Sequence, residues 1–216
     1  LAKGIIRLRA ETPFHIVGVA IAGAENGFPD IEHAESYALI QKGMLGKTVH
    51  AGEAFGPKSI LQAVAKLRTD RIGHGLRLFD EEMIQPQKVA DRTAYIENLV
   101  NYIADRRIAI EVCLTSNMQT SPEIGELRNH ALRKMLDHNL AVTLCTDNRL
   151  VSNTTVCREY EQALDNFDID AKCLRDIVMW GFKQCFYYRP YGEKRALISS
   201  VGDYYDTLEQ KFGINR

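Results

Sequence analysis

No apolar run in the 216 residues approaches the roughly 18 needed to cross a membrane. Charge of one sign is also missing: 27 basic residues face 28 acidic ones, for a net charge of −1. That balance excludes binding to nucleic acid or a membrane surface through bulk electrostatics. The five cysteines (Cys113, Cys145, Cys157, Cys173, Cys185) are odd in number, scattered, and never form C-x-x-C. This excludes zinc-finger spacing, and the pairing of H-x-E with P-C-x-x-C used by small zinc deaminases is absent too. Reduced, mostly buried thiols in a cytoplasmic protein are the expectation. The sequence opens without methionine, in a polar segment, LAKGIIRLRAE, that reads as helix or loop. The expectation is a piece of a longer protein.

What the sequence does have is five short apolar runs, each followed by polar or glycine-rich residues. They are His15–Gly23, Lys47–Glu53, Asp70–Gly75, Ile108–Asn117 and Leu140–Asn148. Most are rich in β-branched residues and nearly continuous in hydrophobicity, which suits strands buried on both faces of a parallel sheet. Helical patterns separate them. Residues 57–68 put Ile60, Ala63, Val64 and Leu67 on one face, with Pro57 in the first turn. Residues 87–105, 123–138 and 170–186 are the other expected helices. Alternating strand and helix, with no repeat or linker, predicts βα units in one domain spanning 1–216.

The C-terminal ends of these strands carry the chemistry. They read Gly23-Ala24-Glu25, His50-Ala51-Gly52-Glu53, Gly73-His74-Gly75, Thr115-Ser116-Asn117 and Thr146-Asp147-Asn148. Polar groups at the same end of consecutive parallel strands are how a (β/α)8 TIM barrel builds an active site. Each item has a plainer reading alone: His50 as a satisfied histidine, Asp147-Asn148 as a turn or helix cap. Those readings are hard to sustain together. His130 and His138 read as solvated, His15 as structural or exposed, His33 as structural, and Tyr187 and Tyr188 as packing. Histidine, aspartate and glutamate at these strand ends suggest metal-assisted hydrolysis. A zinc ion held by His and Asp acidifies water toward neutral pH, and a nearby carboxylic acid supplies a proton to the leaving side.

VHAGE (49–53), IGHG (72–75) and TDN (146–148), in that order and spacing, resemble the adenosine deaminase family. The strand ending IAG (21–23) resembles that family's substrate-contacting glycine strand. The segments 29–43 and 180–186 are also similar. The resemblance implies a (β/α)8 barrel of the metal-dependent hydrolase type with one catalytic Zn2+, converting adenosine and water to inosine and ammonia. By motif, His50 and Asp147 are the implied zinc ligands. Glu53 is the implied proton donor to purine N1. His74 is the implied stabiliser of the attacking hydroxide, and Asp147 helps remove the water's proton. The Gly23 backbone and Asn148 are the implied purine contacts.

Two departures stand out. Asn148 occupies a position where members commonly have a second aspartate, and its amide can donate to a ring nitrogen without being protonated. TDNRL resembles a variant in some bacterial members. The family's H-x-H, which supplies two further zinc histidines, is absent, and only about five of eight βα units are counted. The expectation is the C-terminal part of a barrel, with a small purine nucleoside as substrate and neither nucleic acid nor membrane as partner. The alternatives are a sibling deaminase using adenine, a purine nucleotide or a modified purine nucleoside, and a non-catalytic half-barrel that binds a protein partner.

Overall fold

The computed structural model describes residues 1–214. Five parallel strands form one sheet in chain order: β1 (Gly18–Ile21), β2 (Gly46–Ala51), β3 (Arg71–His74), β4 (Ala109–Val112) and β5 (Val142–Leu144). The helices are α1 (Ala2–Glu11), α2 (Ala34–Lys42), α3 (Pro57–Ala65), α4 (Arg92–Asp105), α5 (Leu114–Thr120), α6 (Leu132–Asp137), α7 (Arg149–Ser152), α8 (Val156–Asn166), α9 (Ala171–Lys183) and α10 (Tyr191–Phe212). Each of β1 to β4 returns to the next strand through helix, as a (β/α)8 barrel requires, and five units of that pattern are present. No described helix is long and apolar enough to cross a membrane.

Register sorts the two faces. Ile21, Val49, Ile72, Ile110 and Val142 lie side by side across all five strands. Period-two alternation puts this row on one face. It joins Ile60, Ala63, Val64 and Leu67 of α3 and its C-terminal turn, and Leu99 and Ile103 of α4, in the core. The next row, His50, Gly73, Glu111 and Thr143, lies on the opposite face. That face is polar. Thr48 Oγ1 donates to Glu111 at 2.8 Å, and Arg71 pairs with Glu111 at 2.7 Å. The sequence expectation of apolar burial on both faces therefore holds for one face only, because the other carries charge-compensated polar groups.

Several expected elements are shorter than their sequence pattern. The run from Ile108 to Asn117 is a strand only to Val112, and Leu114 already begins α5. Thr115, Ser116 and Asn117 therefore sit in a helical first turn. The helix expected from 87 starts at Arg92, where the Asp91 carboxylate accepts the Ala94 N–H at 2.9 Å. The helix expected over 123–138 is two 3-10 turns followed by α6, broken where Gly125 adopts φ +74°. Asp170 caps α9 by accepting the Cys173 N–H at 2.7 Å. His33 precedes α2. Exposed His15 stacks on Tyr188 at 4.2 Å, and exposed His138 on Phe79 at 5.4 Å.

At the N-terminal end of the sheet, Phe186 lies across two paired glycines. A Cβ on Gly46 would meet the Phe186 ring at 2.5 Å, and one on Gly18 would meet it at the same distance. The Arg71 guanidinium lies 3.8 Å from the centroid of that ring. Gly46→Ala is expected to destabilise the chain by about 1–3 kcal/mol through this overpacking. Gly4→Ala, in α1 with nothing within 4 Å of its new methyl, is expected to stabilise by about 0.5–1 kcal/mol. Urea unfolding of both variants checks the opposite signs.

Candidate active site

His50 is the penultimate residue of β2, beside Gly73 of β3. A Cβ on Gly73 would sit 2.7 Å from His50 Cδ2, so the imidazole needs glycine as its neighbour. One step along, Ala51 pairs with His74. His74 ends β3 with φ +68° and is 1% exposed. A non-glycine residue in the left-handed region is uncommon, and such strain gathers at functional sites. The two imidazoles meet edge to face with centroids 4.6 Å apart, His74 Nε2 lying 3.2 Å from His50 Nδ1. Glu53 Oε2 is 3.6 Å from His74 Nε2. Burial pushes the His74 pKa down against the opposing pull of Glu53.

The loop that carries Glu53 hangs on one carboxylate. Glu25, 5% exposed, accepts the backbone N–H groups of Gly52 at 2.9 Å, Glu53 at 3.0 Å, Ala54 at 2.7 Å and Phe55 at 3.0 Å. Gly52 enters this turn at φ +73°, where an added Cβ would strike Ile60 at 2.5 Å. The sequence placed Glu25 at a strand end without a role. Its partners are backbone amides, which no spacing rule announces.

Asp147 follows β5 in an exposed turn at φ +53°, and its Oδ2 accepts the Ser116 hydroxyl at 2.8 Å. Donor atoms of His50, His74 and Asp147 all lie within 4.8 Å of one another. Asn148 caps α7, its Oδ1 accepting the Val151 N–H at 3.2 Å. Gly23 has φ +121° and open space where a side chain would stand. Beside this centre the Cys113 and Cys145 sulfurs are 3.2 Å apart, and that hydrogen bond, with burial, holds the Cys113 thiol well above its usual range.

His130 corrects the sequence reading. It is 2% exposed, not solvated. Its Nε2 lies 3.1 Å from Asn117 Oδ1, and Asn117 Nδ2 lies 3.0 Å from His74 Nδ1. Burial pushes its pKa down to about 4, with His74 adding to the effect. The flanking Arg128, Asn129, Arg133 and Lys134 make the segment read as surface. The broken helix turns this one side chain inward.

The structure thus brings together His50, Glu53, His74 and Asp147. Imidazole nitrogens and a carboxylate oxygen converging on one space are a donor set that suits zinc. A cavity of about 500 Å³ opens behind the Glu53 loop, lined among others by Glu25, Asp30, Phe55 and Tyr95, but not by His50, Glu53, His74 or Asp147. Burial and nearby Glu25 push the Asp30 pKa up to about 6.

The adenosine deaminase family model matches residues 1–204. An adenosine deaminase of Mycobacteroides abscessus is 35% identical over 185 residues, covering 86% of this chain and 49% of that protein. Adenosine deaminase 1 of Streptomyces coelicolor is 33% identical over 186 residues, covering 86% and 45%. The chain therefore spans about half the length of the curated relatives it matches. Among solved structures, adenine deaminase from Arthrobacter aurescens superposes with a TM-score of 0.73 at 21% identity, covering 94% of this chain and 57% of that one. An amidohydrolase from Burkhoderia ambifaria with bound Zn gives 0.78 at 20% identity, covering 98% and 55%. The sheet, the strand-end motifs and these matches agree: the chain belongs to the adenosine deaminase family.

Proposed function

We propose that this chain supplies the C-terminal part of a zinc-dependent deaminase domain that converts adenosine and water to inosine and ammonia. The observation that carries this reading is the convergence of His50, His74 and Asp147 within 4.8 Å, with Glu53 beside them. The family match and the zinc-bearing structural neighbour support it. His50 and Asp147 are the residues that would hold zinc. When bound, zinc supplies a water acidified toward neutral pH.

The chain's own groups account for the proton movements. Asp147, fixed by the Ser116 hydroxyl, accepts a proton from the attacking water. His74 steadies the incoming oxygen as it adds to purine C6. Glu53, held by the loop that Glu25 fastens, gives a proton to N1, so that the ring nitrogen need not carry negative charge. The proton taken up by Asp147 then passes to the C6 amino group, which leaves as ammonia when the C6–N bond breaks, and the C6 hydroxyl returns its proton to Glu53 as the carbonyl of inosine forms. Asn148 serves as cap and purine contact together. Its Oδ1 is used by Val151, which leaves the NH2 group to donate to N7. The open Gly23 backbone faces no steric bar to a ring. Unpaired cysteines support a cytoplasmic setting for the protein.

A second substrate reading has a specific observation in its favour. The structural neighbours include adenine deaminase and an Arabidopsis N6-mAMP deaminase, so the same fold is found in deaminases named for a base and for a nucleotide. A panel of adenosine, adenine, AMP and N6-methyl-AMP separates these readings.

The decisive experiment compares zinc content and adenosine turnover in the 216-residue chain and in a version extended upstream to complete the barrel. The short chain is expected to hold little zinc and to lack turnover, and the extended one to hold stoichiometric zinc and turn over. Zinc and turnover in the short chain would defeat the partial-barrel reading. A zinc-loaded extended chain without turnover on any of the four substrates would defeat the enzyme reading. In the active protein, Glu53→Gln is expected to lower kcat by about 10²–10⁴-fold at unchanged zinc content. Glu25→Gln replaces an all-acceptor carboxylate with an amide that donates toward backbone N–H groups. It is expected to cost about 2–3 kcal/mol in urea unfolding and to lower kcat as the Glu53 loop loosens.

A further inference from the structure

The groups behind His74 decide where that ring carries its proton. The chain of donors starts at a backbone amide, whose direction cannot reverse: the Leu132 N–H donates to His130 Nδ1 at 3.0 Å. A ring nitrogen that accepts carries no hydrogen, so the proton of neutral His130 is on Nε2. Burial, which holds the His130 pKa near 4, keeps the ring neutral at neutral pH. Its Nε2–H then donates to Asn117 Oδ1 at 3.1 Å. This fixes the amide. Its NH2 group faces His74 Nδ1 at 3.0 Å and can only donate there. His74 Nδ1 therefore accepts, and its proton sits on Nε2, the atom that faces His50 Nδ1 and Glu53 Oε2.

We propose that Asn117 and His130 are positioning residues that lock His74 in its Nε2–H tautomer, so that His74 offers a hydrogen-bond donor to the space it shares with His50, Glu53 and Asp147. The three polar side chains are nearly sealed from water, at 1% exposure for His74, 0% for Asn117 and 2% for His130. Solvent has no ready route to exchange one tautomer for the other. A protonated Nε2 also has no lone pair for a metal. Of the three residues whose donor atoms converge, His50 and Asp147 remain as metal ligands, and His74 acts on the oxygen instead. A buried polar network with a purely structural role needs only that each group be satisfied. This one has a fixed direction, imposed from the α6 backbone. Its meaning for catalysis rests on the deaminase reading, whereas the tautomer is a property of the folded chain.

The test is two-bond proton–nitrogen correlation spectroscopy of the ¹⁵N-histidine-labelled 216-residue chain at about pH 8, where unperturbed imidazole is neutral. Signals are assigned by their loss in His74→Gln and His130→Gln. Both rings are expected to show a bare Nδ1 and a protonated Nε2. Asn117→Asp presents acceptor oxygens in both directions and is expected to place a proton on His74 Nδ1 while leaving His130 unchanged. A wild-type His74 protonated on Nδ1, or one that mixes tautomers, overturns the proposal. So does a folded Asn117→Asp whose His74 Nδ1 stays bare. If that variant does not fold, the wild-type spectrum decides alone. The readout requires no zinc and no turnover. Expected tautomers in the 216-residue chain beside a zinc-loaded extended chain that turns over none of the four substrates reject the deaminase reading only, and an active extended deaminase with His74 protonated on Nδ1 rejects this proposal only.

Discussion

The Glu25 carboxylate and the four backbone N–H groups that it accepts hold the site's working loop in place. A charged group buried to 5% exposure is costly unless its hydrogen-bonding capacity is filled. Consecutive amides at 52–55 fill it, and they converge because Gly52 takes a left-handed conformation. One side chain from beyond β1 thereby ties down the segment beyond β2. Glu53 would otherwise sit on a free loop, at whatever distance from His74 the loop allowed. Nearby Asp30 reports the cost of such an arrangement: burial and the Glu25 charge together hold its pKa near 6.

Register does the rest of the positioning. In parallel strands a slip of one residue moves every side chain to the other face. The row Ile21, Val49, Ile72, Ile110, Val142 is apolar throughout, and such a slip would carry it onto the face with Arg71 and Glu111. Burial of that row therefore fixes His50 against Gly73, and so fixes the distance between the two imidazoles. The energy that holds the geometry of the candidate site comes from apolar residues outside it.

This division explains what the sequence shows and what it hides. The β-branched runs and the ligand-bearing strand ends are local in sequence, so the five strands and the group His50, Glu53, His74 and Asp147 were legible. The 3.6-residue pattern of α3 was legible for the same reason. The polar face of the sheet was not. Thr48, Arg71 and Glu111 stand 23 to 63 residues apart in sequence, and only strand pairing makes them partners. His130 was hidden by its charged neighbours, and Glu25 by having backbone groups as its partners. Asn148 looked like a choice between cap and ligand contact, but the cap uses only its Oδ1 and leaves the NH2 group for the contact proposed.

The two sides of the site differ in how firmly they are held. His50, Glu53 and His74 lie over the interior strands β2 and β3, each bounded by a glycine, a buried amide or another ring. Asp147 and Asn148 follow β5, which among the described residues is an edge strand, and both are exposed. Asp147 reaches the rest of the site through the Ser116 hydroxyl. A neutral hydroxyl partner on an exposed turn contributes about 1 kcal/mol, little against the entropy of ordering that turn. Glu53, the group proposed to donate a proton, is thus held in place by the fold of these residues. Asp147, the group proposed to activate water, is held less firmly, by Ser116 on an exposed turn. Removing the zinc proposed for this site is expected to loosen the Asp147 turn well before it disturbs His74, because the network through Asn117 and His130 holds that ring from behind without a metal.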